Sequence, residues 1–140
     1  MDTTRLQKLL EEHEGYRRLI YKDTMGIWTA GIGRNMQTKG LSHDEAVYLL
    51  INDINECDAS LNHFVWYITL DDIRKCVLIE LCFNLGLSGL LGFKQTLAYI
   101  ANENWPGAVK SLCASKWATQ ISKERLDNIC YRLEHGDYPQ

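Results

Sequence analysis

The run Cys76-Val77-Leu78-Ile79-Glu80-Leu81-Cys82-Phe83 is apolar at every position except Glu80. A helix that is hydrophobic all round belongs in an interior, so this run predicts a central buried helix on which the rest of the chain must pack. Thr69-Leu70-Asp71-Asp72 supplies a start signal ahead of Ile73, and Asn84-Leu85-Gly86 breaks the helix after Phe83. Glu80 is the outlier. An unpaired buried carboxylate is costly, so Glu80 should either emerge at a lobe boundary or pair with an arginine. At 140 residues the chain is one domain of ordinary size, able to bury about two-thirds of its unfolded surface.

The flanking segments are read from their periodicity and stop signals. Leu6, Leu9, Leu10 and His13 repeat at helical spacing from about Thr4 to His13, and Gly15 is a C-terminal stop. Arg17 to Tyr21 predicts a strand, Asp23-Thr24-Met25-Gly26 a turn, and Ile27 to Ile32 a returning strand. Gly31 and Gly33 loosen the backbone where the chain leaves the sheet.

Ser42-His43-Asp44-Glu45 is a capping box opening a long helix, whose stripe of Ala46, Val47, Leu50, Ile54, Cys57 and Leu61 runs to about residue 60. Further helices are predicted from Phe93 to Ala101 and from Trp105 to Cys113, the latter with Pro106 in its first turn. Ser122 caps the last, marked by Leu126, Ile129, Cys130 and Leu133. Trp28, Trp66, Trp105 and Trp117 are expected as core anchors rather than a ligand-stacking row. The resulting fold class is α+β, mostly α.

Composition narrows the function classes. A formal charge of −3 argues against nucleic acid as the main ligand, because phosphate binding favours a basic surface. No stretch approaches the roughly 18 apolar residues of a membrane span, so no stable membrane association is expected. The segment Met1 to Leu6 lacks the apolar region of a signal peptide. Cys57, Cys76, Cys82, Cys113 and Cys130 form no C-x-x-C motif; packing in a reducing compartment is expected rather than metal or redox chemistry. His13, His43, His63 and His135 lack the spacing of a helical zinc pair, so neither a metal nor another cofactor is expected.

Two acids bracket the predicted hairpin. Glu14 ends the first helix, where the partial negative charge of the last carbonyls disfavours an ionised carboxylate. Shielding by Tyr21 or Trp28 would push its pKa further up, toward a general acid; the plainer reading is a solvated glutamate beside Glu11 and Glu12. Asp23 suits a turn through its backbone-capping side chain, and Thr29 suits a strand. Together they could hold one water opposite the acid supplied by Glu14.

The run from Glu14 to Gly33 resembles the signature of phage-type lysozymes, the endolysins of the T-even phage lysozyme family (glycoside hydrolase family 24). That pattern is Glu, eight residues, Asp, five residues, Thr, then Gly-Ile-Gly, and Glu14, Asp23, Thr29 and Gly31-Ile32-Gly33 match it without a gap. Further similar segments are Asp44-Glu45-Ala46, Phe83-Asn84-Leu85-Gly86 with Gly92-Phe93, Ser115-Lys116-Trp117, Tyr131-Arg132 and Gly136-Asp137-Tyr138, so nearly the full chain is covered.

The resemblance implies a lysozyme-like fold in a single domain, 1–140. It comprises a β lobe at about 14–41, a connecting helix at about 42–60 and a helical lobe at 61–140, with helix 4–13 packing on that lobe. It implies a muramidase that cuts the β-1,4 bond between N-acetylmuramic acid and N-acetylglucosamine of bacterial peptidoglycan. Glu14 would be the general acid, and Asp23 with Thr29 would act on the attacking water, giving inversion. Retention with Asp23 as nucleophile stays open at this level, as do a lytic transglycosylase and an inactive wall-binding or virion module.

Asn35, Phe83 and Thr96 fall at the family's substrate-cleft positions; for Phe83, core packing is an equal alternative. A monomer is implied, of phage or prophage origin, held in the host cytoplasm and reaching the wall after release through a holin. Arg34 stands where many relatives carry His, and the short segment from Asn35 to Leu41 should trim the third strand and its hairpin.

Overall fold

The computed structural model describes all residues, Met1 to Gln140. Seven α-helices and one small sheet follow along the chain in the order α1 (Thr4–Glu14), β1 (Arg17–Lys22), β2 (Trp28–Gly31), β3 (Arg34–Asn35), α2 (His43–Leu61), α3 (Val65–Ile68), α4 (Asp72–Leu91), α5 (Lys94–Ala101), α6 (Trp105–Cys113) and α7 (Lys123–His135). The mostly helical α+β class is therefore as expected. The chain forms two compact units, Met1–Leu49 and Leu50–Gln140, the division falling inside α2. No single helix is long and apolar enough to cross a membrane.

In the first unit the sheet is antiparallel in the order β1-β2-β3. Tyr21 pairs with Thr29, Lys22 with Trp28 and Arg17 with Gly31, with a bulge between Arg17 and Tyr21. Thr29 pairs on its other side with Asn35, and Ala30 with Arg34. The third strand is only two residues long, the trimming expected from the short segment after it. Trp28 departs from expectation: it is 43% exposed, with the Lys22 ammonium 5.0 Å from its ring, and anchors no core.

The capping box forms as read. Glu45 N–H donates to Ser42 Oγ at 3.2 Å, and Ser42 N–H donates back to the Glu45 carboxylate at 3.1 Å. Two orphan amides at the start of α2 are thereby satisfied reciprocally. The apolar stripe of α2 is buried only at Leu61.

The second unit is built on α4. Val77, Leu78, Leu81 and Cys82 are buried and join Leu112, Trp117, Ile129 and Leu133 in one core. The apolar run is not buried on every side, however. Cys76 and Phe83 are exposed, and Cys76, Ile79, Glu80 and Phe83 share one stripe at i, i+3, i+4 and i+7. With Leu50, Ile54 and Arg132 that stripe lines a groove of about 280 Å³. Asp71 caps α4 by accepting the Arg74 N–H at 3.0 Å. The expected break is a left-handed Gly86 (φ 75°, ψ 161°), after which the helix resumes to Leu91.

Glu80 does find arginines. Its carboxylate accepts Nη2 of Arg132 at 2.5 Å and Nε of Arg125 at 3.2 Å, and Arg132 Nε is itself held by Asn128 at 2.8 Å. Arg74 donates to the carbonyls of Leu133 and Glu134, both at 2.7 Å. It thereby satisfies the free end of α7 with a cation where the helix dipole favours one.

Candidate active site

The first unit brings Glu14, Asp23, Thr29 and Asn35 onto one small scaffold, each placed by a local device. Gly15 ends α1 with φ 74° and donates its N–H to Glu11 at 2.8 Å, which leaves Glu14 as the last helical residue. Its side chain lies over the turn between β2 and β3. A β-carbon built on Gly33 would stand 2.7 Å from Glu14 Oε2 and 3.0 Å from its carboxyl carbon. A side chain at position 33 would force the Glu14 carboxyl to shift. Glu14 is exposed. The aromatic residues expected to shield it are engaged with cations instead, Tyr21 with Arg17 at 4.5 Å and Trp28 with Lys22 at 5.0 Å.

Asp23 is fixed by the turn it begins. Its Oδ1 accepts the N–H groups of Met25 at 2.8 Å and Ile27 at 2.9 Å, while its own N–H donates to the Ile27 carbonyl at 2.9 Å. Oδ2 takes no hydrogen bond from the protein, so one carboxylate oxygen is immobilised and the other is free. Thr29, only 3% exposed, donates its hydroxyl proton to the same Ile27 carbonyl at 2.9 Å. The Ile27 carbonyl therefore ties together the two residues that sequence reading paired through a water. This junction is backbone, and no residue type at position 27 announces it.

Asn35 sits across the ladder from Thr29. Its Oδ1 accepts from Gln37 N–H at 2.9 Å and Thr38 N–H at 3.0 Å, closing the short loop and leaving only its amide nitrogen free. Arg34 secures the other end of that loop. Its guanidinium takes both oxygens of Glu45 at 3.0 and 2.5 Å and the Gly40 carbonyl at 3.1 and 2.9 Å. The Ser42 N–H, and after it the Arg34 guanidinium, hold the Glu45 carboxyl below its ordinary range. Arg34 therefore does pair with an acid, and the pair pins the loop to the start of α2.

In the second unit, Phe83 is 48% exposed and lines a cleft of about 420 Å³ with Asp53, Glu56, Ser60 and Gly86. Exposure on a cleft favours the surface reading of Phe83 over core packing. Thr96 is 3% exposed and its hydroxyl meets Ser111 Oγ at 2.8 Å, a polar contact between α5 and α6. Sequence position alone did not reveal that its side chain points inward.

Comparison with known proteins shows the family. The family model described as Phage lysozyme matches residues 11–134. Two proteins of Dictyostelium discoideum, "Probable T4-type lysozyme 2" and "Probable T4-type lysozyme 1", are each 28% identical to this chain over 94% of both sequences. The alignments run over 162 and 161 positions, more than the 140 residues present here. The relatives therefore carry residues with no counterpart in this chain.

Proposed function

This chain belongs to the phage lysozyme family, and from that premise we propose that it hydrolyses the β-1,4 bond between N-acetylmuramic acid and N-acetylglucosamine with inversion at the anomeric carbon. The family supports the coarser activity, a lysozyme-type glycosidase acting on peptidoglycan. Glu14 donates its proton to the glycosidic oxygen as the bond breaks. Asp23 Oδ2 and Thr29 Oγ1 orient the water on the opposite face of the sugar. Because the Thr29 proton is committed to the Ile27 carbonyl, its oxygen can only accept from that water. One water hydrogen then points to Thr29 and the other to Asp23, which leaves a lone pair for the anomeric carbon. Asp23 takes the proton the water loses, and solvent restores both carboxyl groups.

The observation that carries this reading is the shared Ile27 carbonyl. It ties Asp23 and Thr29 to one turn while leaving Oδ2 free, which supports the water-holding role that an inverting pair requires. Proton NMR of freshly released fragments tests it, the α-anomer being the expected first product. A β-anomer would overturn inversion. An anhydro-muramic end detected by mass would overturn hydrolysis in favour of a transglycosylase, and intact glycan would leave only a wall-binding module.

The placement of Glu14 supplies a second test. Gly31 and Gly33 have almost the same backbone, φ +64° and +63°, yet a β-carbon at Gly31 would meet nothing within 4 Å. Alanine at either position should cost about 1–2 kcal/mol of stability through left-handed strain. Only Gly33→Ala also displaces the Glu14 carboxyl, and it should lose about tenfold or more of lytic activity, since small misplacements at a reacting centre are expensive. Equal activity of the two folded variants would remove Glu14 from its proposed position.

A further inference from the structure

Cys113 closes α6 and Cys130 lies within α7, and their sulfurs are 3.2 Å apart across 17 residues of sequence. Both are free thiols, Cys113 exposed and Cys130 buried. A disulfide needs an S–S separation of about 2.05 Å, so the remaining movement is small enough for side-chain rotation. We propose that Cys113 and Cys130 are an oxidation site, at which a low-molecular-weight disulfide such as glutathione disulfide forms a bridge tying the end of α6 to α7. This is independent of the glycosidase reading.

The unequal exposure sets the order of steps. The Cys113 thiolate attacks one sulfur of glutathione disulfide, forming a mixed disulfide and expelling a glutathione thiolate. Cys130 then loses its proton and attacks Cys113 Sγ, expelling the second glutathione thiolate. The protein loses two protons and two electrons, and the oxidant is reduced to two thiols. Burial first, and then the neighbouring Cys113, push the Cys130 thiol up to about 12, which keeps it out of the entry step. Cys57 also leans on Cys82, but one of that pair is half-buried and the other buried. Glutathione has no exposed thiol there through which to enter.

The bridge would close the segment that carries Trp117, whose indole N–H donates to Asn84 at 2.7 Å beside the α4 kink. Constraining a loop of this length in the unfolded chain should raise the melting temperature by about 5–10 °C. The test treats the reduced full-length protein with glutathione disulfide and maps the products by intact mass and peptide analysis. The expected product is a Cys113–Cys130 crosslink with two hydrogens lost. Cys130→Ser should accumulate glutathione on Cys113, and Cys113→Ser should leave Cys130 unmodified. Glutathione retained on Cys113 of the wild-type chain, a bridge through any other pair, or five unreacted thiols would each overturn the proposal. The wild-type map decides the question even if the Cys130 variant does not fold.

Discussion

Glu14→Gln is expected to slow the clearing of a peptidoglycan suspension by about 10²–10⁴-fold, the range supplied by a positioned general acid, while leaving the thermal transition in place. The substitution keeps the size and hydrogen-bonding outline of the side chain but removes the transferable proton. Glu14 is exposed and no helix bond depends on its carboxyl, so the fold has no reason to respond. A parallel melting curve separates lost chemistry from lost structure. Lysis at the wild-type rate by a folded Glu14→Gln protein would dispose of the proposed acid.

The largest effect on stability is expected at Glu80. Its carboxylate is the only acid contacting Arg132, whose side chain is 7% exposed, while Glu80 itself is 29% exposed. Glu80→Ala would strand a buried guanidinium and detach Arg125 as well. Breaking one partner out of a buried pair costs about 3–5 kcal/mol. The partial exposure of Glu80 and Arg125 lowers that to about 2–4 kcal/mol. For a chain of this size the loss corresponds to a fall of roughly 10 °C in melting temperature.

The comparison variant is Asp127→Ala. It removes a Lys123–Asp127 contact of 4.0 Å between side chains 92% and 66% exposed. That change should stay within about 0.5 kcal/mol. Denaturant titration of both proteins checks the pair, and similar midpoints would mean that the Glu80 network carries no more than a surface contact.

Signals that act within a few residues are legible in the sequence. Ser42 with Glu45, Ser122 ahead of α7, Gly15 after α1 and the break at Gly86 all occur where their chemistry demands, because caps and stops are satisfied locally. Glu80 was legible in another way: a carboxylate in an apolar run must find a cation. The short α3 and the single 3-10 turn at Trp117–Thr119 were not foreseen. Neither is long enough to show a hydrophobic period.

Direction of side chains was harder to read. The expectation that the whole run from Cys76 to Phe83 is interior failed at its two ends, and Trp28 failed as a core anchor. Thr96 turns the other way, into the α5–α6 contact with Ser111. In each case residue type is compatible with either side of a surface, and the packing of distant segments chose between them.

The amino-acid sequence by itself determined the family, the element order, the caps and the spacing of Glu14, Asp23 and Thr29, since all of these are properties of neighbours along the chain. Tertiary structure alone decided that Ile27 offers one carbonyl to both Asp23 and Thr29, and that Gly33 leaves room for the Glu14 carboxyl. It alone decided which arginines reach Glu80 and that Cys113 meets Cys130. The physical reason is the same throughout. A hydrogen bond, a steric gap or a sulfur contact depends on separations of a few ångströms, and between residues far apart in sequence only the packed fold sets those separations.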